Sequence, residues 1–144
     1  MILISHRGNI SGKNPALENS PQYIIEALNM GYDVEIDVWY VGEKFFLGHD
    51  NPQYEIDESF LLTTGLWCHA KNISALNRMV EIGAHCFWHQ TDDVTLTSKG
   101  FLWTYPGVDL LDNSICVLPE ISRYDKIDCA GLCSDEIEKY REES

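Results

Sequence analysis

The stretch DVEIDVWY, Asp33 to Tyr40, decides the fold class. Side chains alternate across a strand, so Val34, Ile36 and Val38 form one apolar face while Glu35 and Asp37 share the other. Immediately upstream, Ser20 has the character of an N-cap and Pro21 that of a first helical residue. Tyr23, Ile24, Ala27 and Leu28 then recur at helical spacing, and Gly31 ends the pattern. Before this helix lie a Gly/Asn/Ser/Pro-rich loop, Gly8 to Asn19, and a short apolar run, Met1 to Ser5, that predicts another strand. Strand, helix and strand in such close order predict a right-handed parallel βαβ unit.

Downstream, Lys44 to Leu47 predicts a hairpin with the end of DVEIDVWY, and Leu66 to Ala70 (LWCHA) a further strand. A helix follows from about Ser74 to Ile82, with Leu76, Met79, Val80 and Ile82 on its buried side, and then a strand at Cys86 to His89. Phe101 to Thr104, Ile115 to Leu118 and Cys129 to Cys133 also suit strands, but the segments between them are too short and turn-like for full helices. Asp135 to Glu143 suits a polar helix, its early acids favoured by the helix dipole. The expected fold is therefore α/β: a compact, shortened TIM-type (β/α) barrel with parallel strands and reduced helices in its second half, as one domain over residues 1–144. A standard (β/α)8 unit takes about 250 residues, so a chain of 144 must be cut down. Lost helices would expose an apolar flank, which a homodimer would cover.

Composition narrows the partners. Ten Lys plus Arg against 23 Asp plus Glu give a net charge of -13, which repels nucleic-acid phosphates and anionic lipid headgroups. The apolar start is too short for a signal sequence or a spanning helix, so the expectation is a cytoplasmic protein without stable membrane insertion. The five cysteines form no CxxC pair and lie mostly in apolar runs, which predicts buried free thiols and no cysteine-built zinc site.

The residues with chemical potential gather in the first half, at His6-Arg7-Gly8, Glu18-Asn19, Glu35-Ile36-Asp37, Gly48-His49-Asp50 and His69-Ala70-Lys71. Strand parity puts Glu35 beside Asp37, and His69 beside Lys71, near the C-terminal strand ends where parallel folds build their sites. Two neighbouring carboxylates repel unless a cation lies between them, and oxygen ligands favour Mg2+ or Ca2+. Histidines near a cation, with Arg7 and Lys71 to offset phosphate charge, suit phosphoryl chemistry, one imidazole taking a proton while the other returns one. Against this stand plainer readings. An isolated Glu-x-Asp is a solvated strand edge, His69 would serve equally as a satisfied core histidine, and His85 falls on the surface. His89 would reach a barrel mouth or serve structure alone, Glu120 offers a late carboxylate, and Trp103 and Tyr105 suit walls around a substrate.

Taken together, HRG at His6 to Gly8, ENS at Glu18 to Ser20, VEIDV at Val34 to Val38 and LGHD at Leu47 to Asp50 resemble the glycerophosphodiester phosphodiesterase family, within the phospholipase-C-like phosphodiesterase superfamily. The resemblance covers Ile4 to Asp50 closely and thins beyond. Lys71 matches a third-strand lysine of the family, whereas His69 stands where the family has a carboxylate; Cys129 to Asp135 is similar to its final strand, and Trp103-Thr104 to a late one. The resemblance implies a metal held by Glu35 and Asp37, with His69 as third ligand, and His6 and His49 as the acid–base pair. Arg7 and Lys71 would face the phosphate and Glu18 would orient Arg7 or the metal. It further implies hydrolysis of a small phosphodiester of lipid metabolism by way of a cyclic phosphate. An imidazole in place of a carboxylate lowers the site's negative charge and tilts the preference towards Mn2+ or Zn2+. Two alternatives stand beside the hydrolase: a catalytically weak or inactive barrel that holds a phosphorylated ligand, and a lyase that stops at the cyclic phosphate.

Overall fold

The structure is a computed structural model that describes residues 1–122, 124 and 126–143. Its strands are β1 (Ile2–His6), β2 (Asp33–Val41), β3 (Lys44–Leu47), β4 (Tyr54–Ile56), β5 (Leu66–Ala70), β6 (Cys86–Trp88), β7 (Val94–Leu96), β8 (Leu102–Thr104), β9 (Ser114–Val117) and β10 (Gly131–Ser134). Its helices are α1 (Pro21–Asn29), α2 (Ile73–Ile82) and α3 (Glu138–Glu143). The Ser20 side chain accepts the Tyr23 N–H at the start of α1, and Asn72 accepts from Ala75 at the start of α2. Gly83, at φ 83°, ends α2 in the left-handed conformation.

All ten strands belong to one sheet. Parallel pairing runs β6-β5-β2-β1-β10-β9-β8, and antiparallel β7 closes the β8 side. β2 outgrows β1: residues 33–35 pair with β1, and residues 38–41 of the same edge pair with β3, which in turn pairs with β4. The outcome is a curled, mixed half-barrel with more sheet than helix, which corrects the expected TIM-type barrel of parallel strands with alternating helices. Among the described residues, only α1 and α2 act as crossover helices. After β6, Thr91-Asp92-Asp93 and Tyr105-Pro106-Gly107 favour turns, and no capped apolar stripe of helical period follows them. β7 and the chain just after it run beside β6 instead, where Ser98 N–H donates to Cys86 C=O at 2.8 Å and the Thr95 hydroxyl to Trp88 C=O at 2.8 Å.

Two apolar layers sandwich the early strands. On the convex face, Val34, Ile36 and Val38 pack with Ile24 and Ala27 of α1 and Ala75 and Met79 of α2. Val80, expected on that buried side, is exposed, because the helical stripe runs through 75, 76 and 79. On the concave face, Ile4, Trp67, Phe87, Trp103, Ile115, Val117 and Cys133 fill the floor below the strand ends. The outer side of β9 and β10 is covered not by a helix layer but by Tyr32, Ile137 and neighbouring side chains. All five cysteines are free thiols, four of them buried and Cys129 half-buried. Among the described residues, no helix is long and apolar enough to cross a membrane.

His85 is not on the surface. It is buried under Trp67, with ring centroids 4.2 Å apart, and its Nε2 lies 2.8 Å from the Thr97 hydroxyl. Burial, helped by the positive charge of Lys99, pushes its pKa down to about 4, so the folded state keeps it neutral. The unfolded state then binds the proton more readily, and the stability His85 contributes is complete above its ordinary value of 6.5 and lost as pH falls towards 4. Urea midpoints measured from pH 7 to 4 should fall by the equivalent of about 2–3 kcal/mol more in the wild type than in His85→Gln. Parallel curves for the two proteins would remove His85 as a cause of acid sensitivity.

Candidate active site

The chain turns sharply at the end of β1. Arg7 and Gly8 have φ of 60° and 96°, and a Cβ on Gly8 would come within 2.5 Å of the Tyr23 ring, so this bend requires glycine at position 8. The bend sends the Arg7 side chain back over β2. There its Nε lies 3.2 Å from Asp37 Oδ2, a charge contact without hydrogen-bond alignment, while Nη1 donates to Glu18 Oε1 at 3.2 Å. Glu18 Oε2 in turn accepts the Asn14 N–H. Asn19, also left-handed at φ 68°, donates Nδ2 to Asp37 Oδ2 and accepts the Asp37 N–H, both at 2.9 Å. Strain at two non-glycine residues that both grip Asp37 marks a place where geometry is held against local preference.

Strand parity acts as the sequence implies: Glu35 and Asp37 both enter the concave side, buried to 2% and 0% exposure. The register of β2 with β5 sets His69 opposite Asp37. His69 Nδ1 lies 3.4 Å from Asp37 Oδ1 and 3.7 Å from Glu35 Oε2, and Nε2 lies 2.8 Å from the His89 carbonyl oxygen. A carbonyl only accepts, so Nε2 carries a proton and Nδ1 faces the carboxylates. Burial opposes a charge on His69, but the carboxylates of Asp37 and Glu35 outweigh it and lift the pKa to about 9. Burial would likewise raise Asp37, yet His69, Arg7 and Asn19 hold it well below the carboxylate range.

Glu35 Oε1 and Asp37 Oδ1 are buried without any hydrogen-bond partner. Buried anionic oxygens are costly unless something pairs with them, and a ligand atom from each of Glu35, Asp37 and His69 lies within 4.8 Å of the others. The residues present therefore fit a divalent cation.

His6 closes the other side of this cluster. Its Nδ1 lies 2.7 Å from Asp135 Oδ1 and its Nε2 3.7 Å from Glu35 Oε1. Asp135 Oδ1 also accepts from Asn9 Nδ2 at 2.9 Å, and Asn9 Oδ1 accepts from the Tyr23 hydroxyl. Burial works against charge on His6, but Asp135 and Glu35 raise its pKa above 6.5. Asp135 stays ionised because the bond to His6 outweighs its own burial. A carboxylate on Nδ1 orients the ring and leaves Nε2 to face the cluster.

His49 reaches the same place from the loop after β3. A Cβ on Gly48 would meet the Asn51 carbonyl at 2.1 Å, and the Gly48 carbonyl accepts Trp39 Nε1 at 2.7 Å, which together fix the turn that carries His49. His49 Nδ1 lies 2.8 Å from Asp50 Oδ1 on the open side. Two adjoining cavities share His6, Arg7, His49 and Leu118. One of about 280 Å³ contains Glu35, His69, Lys71, Trp103 and Tyr105; the other, of about 560 Å³, contains Lys13, Glu18, Asn51 and Asp135. Lys71 is set at the cavity wall by its N–H bond to Val38 C=O, 2.8 Å long. His89 stacks on Tyr105 at 3.9 Å and has its Nε2 against the Asp92 carbonyl.

Every site residue singled out in the sequence thus lies at one end of the half-barrel. Asp135, Asn9 and Asn19 are the structural partners that sequence reasoning did not assign. Asn19 had a local signal, its place in ENS. Asp135 had its place at the end of Cys129 to Asp135, the stretch similar to the family's final strand, but its meeting with His6 follows from β1 pairing with β10 across most of the chain. Glu120 is exposed and holds the Ser134 hydroxyl and the Asp135 N–H, so it steadies the strand end that carries Asp135. No family model, no curated protein and no solved structure matches this chain.

Proposed function

We propose that this chain is a metal-dependent phosphodiesterase acting on a small diester of the glycerophosphodiester kind. The observation that carries this reading is the convergence on one cleft of two partner-oriented histidines, His6 and His49, with a buried carboxylate pair that keeps one oxygen each, Glu35 Oε1 and Asp37 Oδ1, without a hydrogen-bond partner. One imidazole accepts the proton of a substrate hydroxyl next to the phosphate, as that oxygen bonds to phosphorus. The bond from phosphorus to the departing oxygen breaks, and the other imidazole protonates that oxygen. The first products are an alcohol and a cyclic phosphate, which water opens to a monoester. Arg7 and Lys71 line the same cavity and offset charge on the phosphate oxygens, and Glu18 and Asp37 keep Arg7 from swinging away. A bound divalent cation supplies Lewis-acid stabilisation of those oxygens. The Trp103 and Tyr105 rings suit the apolar side of one ester arm, while Asn51 and Gln53 in the larger cavity suit a polar one.

The test is turnover of a panel of glycerophosphodiesters by protein stripped with a chelator and then resupplied with divalent cations, with products followed by phosphorus NMR. Alcohol release is expected only with the cation present. A panel without cation-dependent release sinks the enzyme reading. A cyclic phosphate that accumulates and is never opened would assign a lyase.

A further inference from the structure

We propose that the Glu35/Asp37/His69 cluster selects a borderline transition-metal ion of the Zn2+ class over Mg2+ and Ca2+, with His69 as the selecting ligand. The proposal rests on the cation-dependent reading above for its place in the reaction, but its evidence is the donor set itself.

Three observations point the same way. First, the His69 ring is fixed rather than free. Nε2 donates to the His89 carbonyl at 2.8 Å, so in the neutral ring the lone pair belongs to Nδ1, which lies 3.4 Å from Asp37 Oδ1 and 3.7 Å from Glu35 Oε2. A ligating imidazole characteristically donates its other ring N–H in this way, and the second bond sets both tautomer and aim. Second, the oxygens on offer are few. Asp37 Oδ2 is taken by Asn19 at 2.9 Å and by the Arg7 guanidinium at 3.2 Å, which leaves only Oδ1 of that carboxylate for an ion. Ca2+ takes six to eight oxygens in roughly all of its sites, and Mg2+ also prefers oxygen donors. Third, the charge is low. The Arg7 guanidinium, shared between Asp37 and Glu18, offsets part of the charge of the two carboxylates, and a ligating imidazole adds none, a weak attraction for hard ions that bind through electrostatics. Zn2+ accepts nitrogen readily and needs only about four ligands, so three protein donors and one open position satisfy it.

The experiment is direct binding to the chelator-stripped full chain, by calorimetry with Zn2+, Mg2+ and Ca2+ in turn, on the wild type, His69→Glu, His69→Gln and Asp37→Asn. The wild type is expected to bind one Zn2+ at least about 10³-fold more tightly than either hard ion. His69→Glu should narrow that ratio by about 10–100-fold and His69→Gln should weaken Zn2+ without strengthening Mg2+. Asp37→Asn should abolish the single-site isotherm, which separates this site from surface histidines. Nitrogen NMR of the His69 ring should show Nδ1 shifting with Zn2+ while Nε2 keeps its proton. Equal affinity for the three ions, or a ratio unchanged in both His69 variants, overturns the selectivity and leaves cation-dependent cleavage standing. Selective binding in a protein that cleaves no diester supports the selectivity and defeats only the enzyme reading. Absence of any single-site binding overturns both.

Discussion

His6→Ala is expected to lower kcat/KM for the diester by about 10²–10⁴-fold, the usual worth of a positioned acid–base group, with the cation still binding at one per chain. The geometry separates the two effects, because His6 Nε2 is 3.7 Å from Glu35 Oε1 and is not one of the three clustered donors. Asp135→Asn should cost less, about 10–100-fold, because Asp135 acts through His6 rather than on substrate. It keeps a side chain of the same shape 2.7 Å from Nδ1 but loses the charge, so that only the neutral bond from Asn9 Nδ2 holds its oxygen towards the ring. The His6 ring should then lose its single tautomer, visible as averaged nitrogen shifts. If Asp135 works only through His6, the double variant is no slower than His6→Ala alone. Losses that multiply would show two separate roles, and Asp135→Asn with wild-type kcat and wild-type tautomer would reduce the contact to fold support.

How much of this was legible in the sequence depends on the distance over which each feature is decided. The sides taken by Glu35, Asp37 and His69 follow from alternation within a strand, and the joint placement of β1 and β2 follows from one compact βαβ order, so much of the centre of the site could be read from short stretches. The Ser20 cap and the Pro21 start of α1 were equally local. The closure of the fold was not. Whether residues 89–113 would carry helices or turns determines whether a barrel completes, and that segment folds as β7, β8 and loops. His85 was misplaced for a related reason: its partner Thr97 belongs to that same segment, and nothing beside His85 in the chain announces it. Asp135 depends on register between the first and last strands, which only the assembled sheet defines.

The two buried carboxylates should respond in opposite ways to neutralisation, although both variants lose cation binding. Asp37 is fully buried and answers two cations, Arg7 Nε at 3.2 Å and His69 Nδ1 at 3.4 Å, besides accepting from Asn19. Asp37→Asn strands both. Breaking a buried pair from one side costs about 3–5 kcal/mol, and the low end applies because Arg7 keeps Glu18 and retains some contact with solvent. Relief of the repulsion between the carboxylates offsets part of this, but one repulsion is set against two attractions. Glu35 has a weaker claim on its neighbours, although its charge helps raise the pKa of both His6 and His69. It approaches His6 and His69 only at 3.7 Å, and its Oε1 has no hydrogen-bond partner. Without a cation it is a buried charge with weak compensation, so Glu35→Gln should be neutral or stabilising in chelator, by up to about 1–2 kcal/mol. Urea unfolding of the metal-free proteins decides the matter, with an unchanged m-value as the check that the midpoints report stability. A Glu35→Gln protein less stable than Asp37→Asn would reverse the assignment, making Glu35 the structural carboxylate and Asp37 the one held open for the ion.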